Sequence, residues 1–182
     1  MNPLPSRPAR ALAAFLLAAL PLVASEAKAA EWTVAPAPTE DEPFDAAQTM
    51  SEAGDSLLVW SRATPDGIQV FAELHPAEGV AFAKVMPVYR VDTDEPVDTD
   101  VIRFKGEEKN ALWGMVREHV TFWLLWQSAA PVAKSGDPLH RWLEGRELEV
   151  SIPVADGSTR VMRFSLAGSS AAIRKATGVA SE

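Results

Sequence analysis

Three histidines, His75, His119 and His140, are the side chains best suited to proton transfer or metal ligation near neutral pH. A His-Glu-x-x-His helix sets two imidazoles on one face, and none of the three lies in such a pattern. A zinc site would need three or four donors converging from separate elements. His75 precedes Pro76 at a strand end, His119 opens the most apolar run, and His140 falls in a short helical segment. On spacing alone the three read as surface or hydrogen-bonded histidines, and no catalytic, cofactor or metal residue is assigned from them.

The stretch Asp92–Asp100 offers Asp92, Asp94, Glu95, Asp98 and Asp100 within nine residues. Alternating carboxylates suit a hard cation such as Ca²⁺, whose ligands are oxygens. The central Gly and distal Glu of an EF-hand loop are missing, and Pro96 intrudes. The reading is a solvated loop between strands, with Asp92, Asp94, Asp98 and Asp100 as the residues that would face a Ca²⁺ ion. Ser169 and Ser170 suit a helix cap better than nucleophilic attack. There is no Gly-x-Ser-x-Gly elbow and no glycine-rich phosphate loop, so neither that hydrolase signature nor nucleotide binding has support. Trp113, Trp123 and Trp126 read as core residues, the alternative being a ligand pocket between sheets.

These residues must be positioned by strands. Leu148, Val150, Ile152 and Val154 alternate with polar positions and Pro153, and Met162, Phe164 and Leu166 line the return strand after an Asp156-Gly157 turn. Gly168 closes that hairpin. Ser169 or Ser170 is the expected cap of a helix through Ala176, with Gly178 after its end. Ser56–Arg62 and Ile68–Leu74 form a second hairpin about Thr64-Pro65-Asp66-Gly67. Ile68, Val70, Ala72 and Leu74 share one face, with Gln69, Phe71 and Glu73 opposite.

Further strands are expected at Trp32–Val34, Phe82–Val91, Val101–Phe104 and His119–Trp126. In the last, Val120, Phe122, Leu124 and Trp126 lie on one face and Thr121, Trp123 and Leu125 on the other. Phe44–Met50 reads as a short helix or loop, and Glu107–Val116 fits helix or strand equally. Asp137 and Pro138 start a short helix that buries Leu139, Trp142 and Leu143 and ends at Gly145. The spacing predicts an all-β fold, an antiparallel sandwich or barrel of hairpins with one or two short peripheral helices.

The first residues stand apart from that fold. Arg7 and Arg10 precede the apolar run Ala11–Val23, and Ala27-Lys28-Ala29 is a small-x-small cleavage site. This is the pattern of a secretory signal peptide cleaved before Ala30. The expected organisation is a leader over 1–29, a Pro-rich acidic segment over 30–50 and one β-rich domain over 51–180. A cleaved leader places the chain in the periplasm or outside the cell, with no stable membrane insertion after its removal.

The chain has no Cys, which excludes disulfides, thiolate metal sites and cysteine nucleophiles. Leader removal takes the net charge from −8 to −10, because residues 1–29 carry Arg7, Arg10 and Lys28 against Glu26. An acidic domain of this kind is poorly suited to nucleic acid or anionic lipid.

The segment Gly145-Arg146-Glu147-Leu148, followed by Phe164-Ser165-Leu166-Ala167-Gly168-Ser169-Ser170-Ala171-Ala172, resembles the C-terminal end of the invasion-associated locus B family and related periplasmic domains. Glu31-Trp32-Thr33-Val34 and Tyr89-Arg90-Val91-Asp92 are similar to other parts of that pattern. Members often carry a Cys shortly after the first Trp. Ala35 stands there in this chain, which removes any family disulfide.

The resemblance implies a periplasmic β-sandwich-like protein with no established enzyme activity, and it supplies no catalytic residue. The expected function is therefore that of an exported, non-enzymatic accessory or binding module with an envelope protein partner and no cofactor. The rival expectations are a hydrolase with an Asp/Glu–His site and a Ca²⁺-stabilised β domain. A deep cleft in which His75, His119 or His140 meets a carboxylate or a Ser within hydrogen-bond reach is what separates the first rival from the binding module.

Overall fold

The computed structural model describes residues 31–36, 44–83, 85–99, 115–116, 119–127 and 132–181. The expected leader, the Val101–Phe104 strand, Asp100, Trp113 and most of Glu107–Val116 lie outside the described residues.

The six-stranded sheet is antiparallel, in the order β1-β2-β3-β4-β8-β7. Its strands are β1 (Thr33–Pro36), β2 (Asp45–Met50), β3 (Ser56–Thr64), β4 (Gly67–His75), β7 (Met115–Val116) and β8 (His119–Gln127). The second antiparallel sheet runs β11-β10-β5-β6, from β5 (Val88–Val91), β6 (Val97–Asp98), β10 (Glu147–Pro153) and β11 (Thr159–Ser165). The remaining pair, β9 (Val132–Ala133) with β12 (Ala180–Ser181), is parallel and departs from the all-antiparallel expectation. Two helices, α1 (Pro138–Glu144) and α2 (Ser169–Thr177), complete the described residues. The architecture is a β-sandwich with short helices, and neither sheet closes into a barrel among the described residues.

One core joins the layers. Leu57, Val59, Val70, Ala72, Leu74, Val120 and Phe122 of the six-stranded sheet meet Tyr89, Leu148, Val150, Ile152, Met162 and Phe164 of the other. Trp142 on α1 is fully buried and sits edge-on to Tyr89 at 5.6 Å and to Phe122 at 6.1 Å. These edge-to-face contacts add about 0.5–1.5 kcal/mol each beyond area burial. α2 packs on β1, β2 and β3 with Ala172 and Ile173 inward, and Ser61 Oγ donates to the Thr177 carbonyl at 3.3 Å. Trp32 Nε1 donates to the Ser165 carbonyl at 2.7 Å and so ties the first strand to β11.

Several local expectations are corrected. Phe44–Met50 is mostly strand: Ala46 and Ala47 are small enough to bury between neighbours, and pairing with both β1 and β3 overrides alanine's helical preference. Among the described residues of the Phe82–Val91 run, Val88–Val91 is the strand. Phe82 makes an isolated bridge to Val154, and Pro87 has no N–H for a ladder. In β8 the alternation breaks, because a bulge lets Val70 pair with Leu125 while Phe71 pairs with Trp123. Leu124 and Leu125 therefore both enter the core.

α2 is capped by neither serine. Gly168, at φ +85°, is the N-cap, and Ser169 Oγ donates instead to the Trp142 carbonyl at 3.1 Å. Asp137 likewise makes no side-chain bond to α1, since its Oδ2 accepts from the Lys134 amide at 2.8 Å.

Candidate functional site

The outer face of the six-stranded sheet carries side chains that the core does not use. Residues i and i+2 of a strand share a face, so Glu73 and His75 stand on the same side of β4 as Phe71. The antiparallel neighbour β8 sets Thr121 opposite Glu73, with His119 two residues further along on that face. A directly opposed pair has Cβ atoms about 4.5–5.5 Å apart, which brings long side chains into contact.

The result is a cluster of Glu73, His75 and His119 whose ligating atoms all lie within 4.8 Å of one another. His75 Nε2 and Glu73 Oε1 are 2.7 Å apart, and the two imidazoles are tilted by 32° with centroids 5.2 Å apart. The other oxygen, Glu73 Oε2, accepts from Trp60 Nε1 at 3.3 Å and from Thr121 Oγ1 at 3.5 Å. Three strands thus hold one carboxylate, with one oxygen anchored to the sheet and the other turned to the histidines.

Burial acts to raise the Glu73 carboxyl. The His75 hydrogen bond, the neighbouring His119 and His75 imidazoles and the Trp60 N–H outweigh it and hold the group below its ordinary value. Glu73 is therefore charged at neutral pH. Its side chain is 19% exposed and that of His75 36%, so the pair is open to small solutes.

Beside the cluster runs an aromatic row. Phe44 stacks on Trp60 at 4.6 Å, Trp60 on Phe71 at 4.4 Å, and Phe71 tilts against Trp123 at 6.2 Å. Leu58 and Ala46 are buried with Phe44 and Trp60 as a second small apolar cluster. This row stiffens the wall from which Trp60 reaches Glu73.

Sequence reasoning placed Glu73 on the face opposite Val70, Ala72 and Leu74, and His75 at a strand end, but did not bring His119 to them. The available signal was the parity of His119 with Thr121, and only the pairing of β4 with β8 turns it into a contact. His140 lies apart, half-buried on α1.

The acidic stretch has a different role. Asp92, at φ +50°, accepts the Arg146 amide at 3.1 Å and the Glu147 amide at 2.9 Å, so its carboxylate joins the β5 turn to β10. Asp94 is exposed in that turn and Asp98 lies on β6. Among the described residues these carboxylates do not meet as a group of three. Trp123 is buried, in the aromatic row of the outer face rather than among the residues that join the two sheets.

A buried acid that sequence reasoning missed is Asp55. Its Oδ1 accepts from Arg160 Nε at 2.8 Å, Arg160 Nη2 at 2.7 Å and the Ala77 amide at 2.9 Å, while Ser51 Oγ donates to Oδ2 at 3.0 Å. These contacts tie the start of β3 to β11. A groove of about 360 Å³ beside Met50, Arg146, Val161 and Arg163 contains no histidine.

Chemically, the Glu73 cluster can relay a proton between carboxylate and imidazole, or offer one oxygen and two nitrogens to a cation. No helix among the described residues is long and apolar enough to cross a membrane. Compared with protein-family models, curated proteins and solved structures, the chain matches none.

Proposed function

We propose that the chain is an exported, non-enzymatic binding module of the bacterial envelope, working through the outer face of the six-stranded sheet at Glu73, His75 and His119. The observation that carries this reading is the convergence of three chemically competent side chains on a rigid face whose neighbours have plain structural roles. The leader-like first residues and the resemblance to invasion-associated locus B proteins support export and an accessory role.

The test is fractionation of a bacterial host, followed by mild crosslinking of the wild type and a His75→Ala/His119→Ala variant. A periplasmic product beginning at Ala30, with an envelope partner captured by the wild type and lost in the variant, is the expected result. An uncut cytoplasmic product, or equal capture by both, overturns the reading.

The rival reading is a hydrolase, and the 2.7 Å Glu73–His75 bond favours it. A carboxylate that orients an imidazole is the base half of such a site. Turnover of simple ester or peptide substrates that disappears in His75→Ala would replace the binding module with an enzyme.

A further inference from the structure

The geometry points to a divalent transition-metal site of the zinc class at Glu73, His75 and His119, with one coordination position open to solvent. The inference rests on the reading that this end of the sheet is the working surface, and it names the ligand class.

Three features carry it. The first is the donor set. One carboxylate oxygen and two imidazole nitrogens, with no thiolate in the chain, suit borderline cations such as Zn²⁺, Cu²⁺ and Ni²⁺. The second is reach. Tetrahedral Zn²⁺ with bonds of about 2.0–2.1 Å holds its donors about 3.3 Å apart. The three side chains already stand within 4.8 Å of one another, so rotamer adjustments on fixed strands close the set. The third is support outside the donors. Trp60 Nε1 and Thr121 Oγ1 fix Glu73 Oε2 from the sheet side and leave Oε1 for the ion, as outer hydrogen bonds orient ligands at metal centres.

In this site the cation takes the place of the hydrogen now shared by Glu73 Oε1 and His75 Nε2. The displaced hydrogen moves to His75 Nδ1 or, from an imidazolium, to solvent. Among the described residues the set has three protein donors, and a tetrahedral ion then takes a fourth donor such as water.

The experiment uses the chain purified after export by a bacterial host, stripped with chelator and titrated with ZnCl₂ by calorimetry. Thermal melts are run on the same samples. The expected result is one Zn²⁺ per chain with a raised melting midpoint. His140→Ala leaves both unchanged. Trp60→Phe weakens binding by roughly 10–100-fold, the usual effect of losing an outer partner. His75→Ala and His119→Ala weaken it further than that, and His75→Asn and His119→Gln serve if either alanine variant does not fold.

The inference is overturned if Zn²⁺ binds no better to the wild type than to the double histidine variant, or if His140→Ala abolishes the binding. If no metal binds but the double histidine variant still loses its envelope partner, the metal site falls and the binding module stands. If Zn²⁺ binds as described and no partner is lost, the metal site stands and the partner reading falls.

Discussion

At the scale of single residues, this protein uses carboxylates in three distinct ways. Asp92 holds backbone amides, Asp55 holds a guanidinium and Glu73 holds an imidazole. Asp55 is the most consequential for stability. Its side chain is 1% exposed and accepts from Arg160, Ser51 and the Ala77 amide. Asp55→Ala leaves Arg160 without its charge partner and the Ala77 amide without its acceptor. A loss of about 3 kcal/mol is expected, read from chemical denaturation. An Asp55→Ala/Arg160→Met double variant should recover part of it.

Asp156 supplies the pH prediction. The Ser158 amide and hydroxyl donate to Asp156 Oδ1 at 2.8 Å and 2.7 Å and hold its carboxyl below the ordinary value. A depressed folded value means that the group's stabilisation is present above the unfolded value and is lost as pH falls through the folded one. Carboxyl NMR should show Asp156 titrating below ordinary aspartates. Ser158→Ala removes the hydroxyl donor and should move the midpoint up toward them.

At the scale of elements, the turns decide the fold and the glycines decide the turns. Gly145, past the end of α1, is required for space. A Cβ there would overlap Val91 Cγ1 and stand 2.9 Å from the Arg141 carbonyl oxygen. Gly145→Ala is expected to cost about 1–3 kcal/mol through a forced shift of α1 against β5, seen as a lowered thermal midpoint.

What was legible at this scale followed local chemistry. The two hairpins, the α1 stripe of Leu139, Trp142 and Leu143, and Gly178 after α2 all sit where alternation, Pro and Gly place them. What was not legible depended on neighbours. β2 is a strand because β1 and β3 flank it, despite its alanines. The bulge that sends both Leu124 and Leu125 inward has no local signature in an unbroken apolar run. Ser169 turned from capping because the Trp142 carbonyl lay within reach.

At the scale of the whole molecule, two sheets and two helices share one apolar core, and this leaves the outer face of the six-stranded sheet with a different composition. Glu73 was legible from parity as lying opposite Val70, Ala72 and Leu74, and His75 only as a residue at the end of that strand. Their meeting with His119 required β8 to lie beside β4, a non-local pairing that local patterning does not encode. The aromatic row from Phe44 to Trp123 and the polar cluster beside it then become one continuous wall.

The claim that this wall carries the working site is tested most directly by following the imidazole NMR signals of His75, His119 and His140 during stepwise addition of Zn²⁺. His75 and His119 are expected to shift together and saturate at one equivalent while His140 stays in place. Signals that do not move, or all three moving alike only in excess metal, would contradict it.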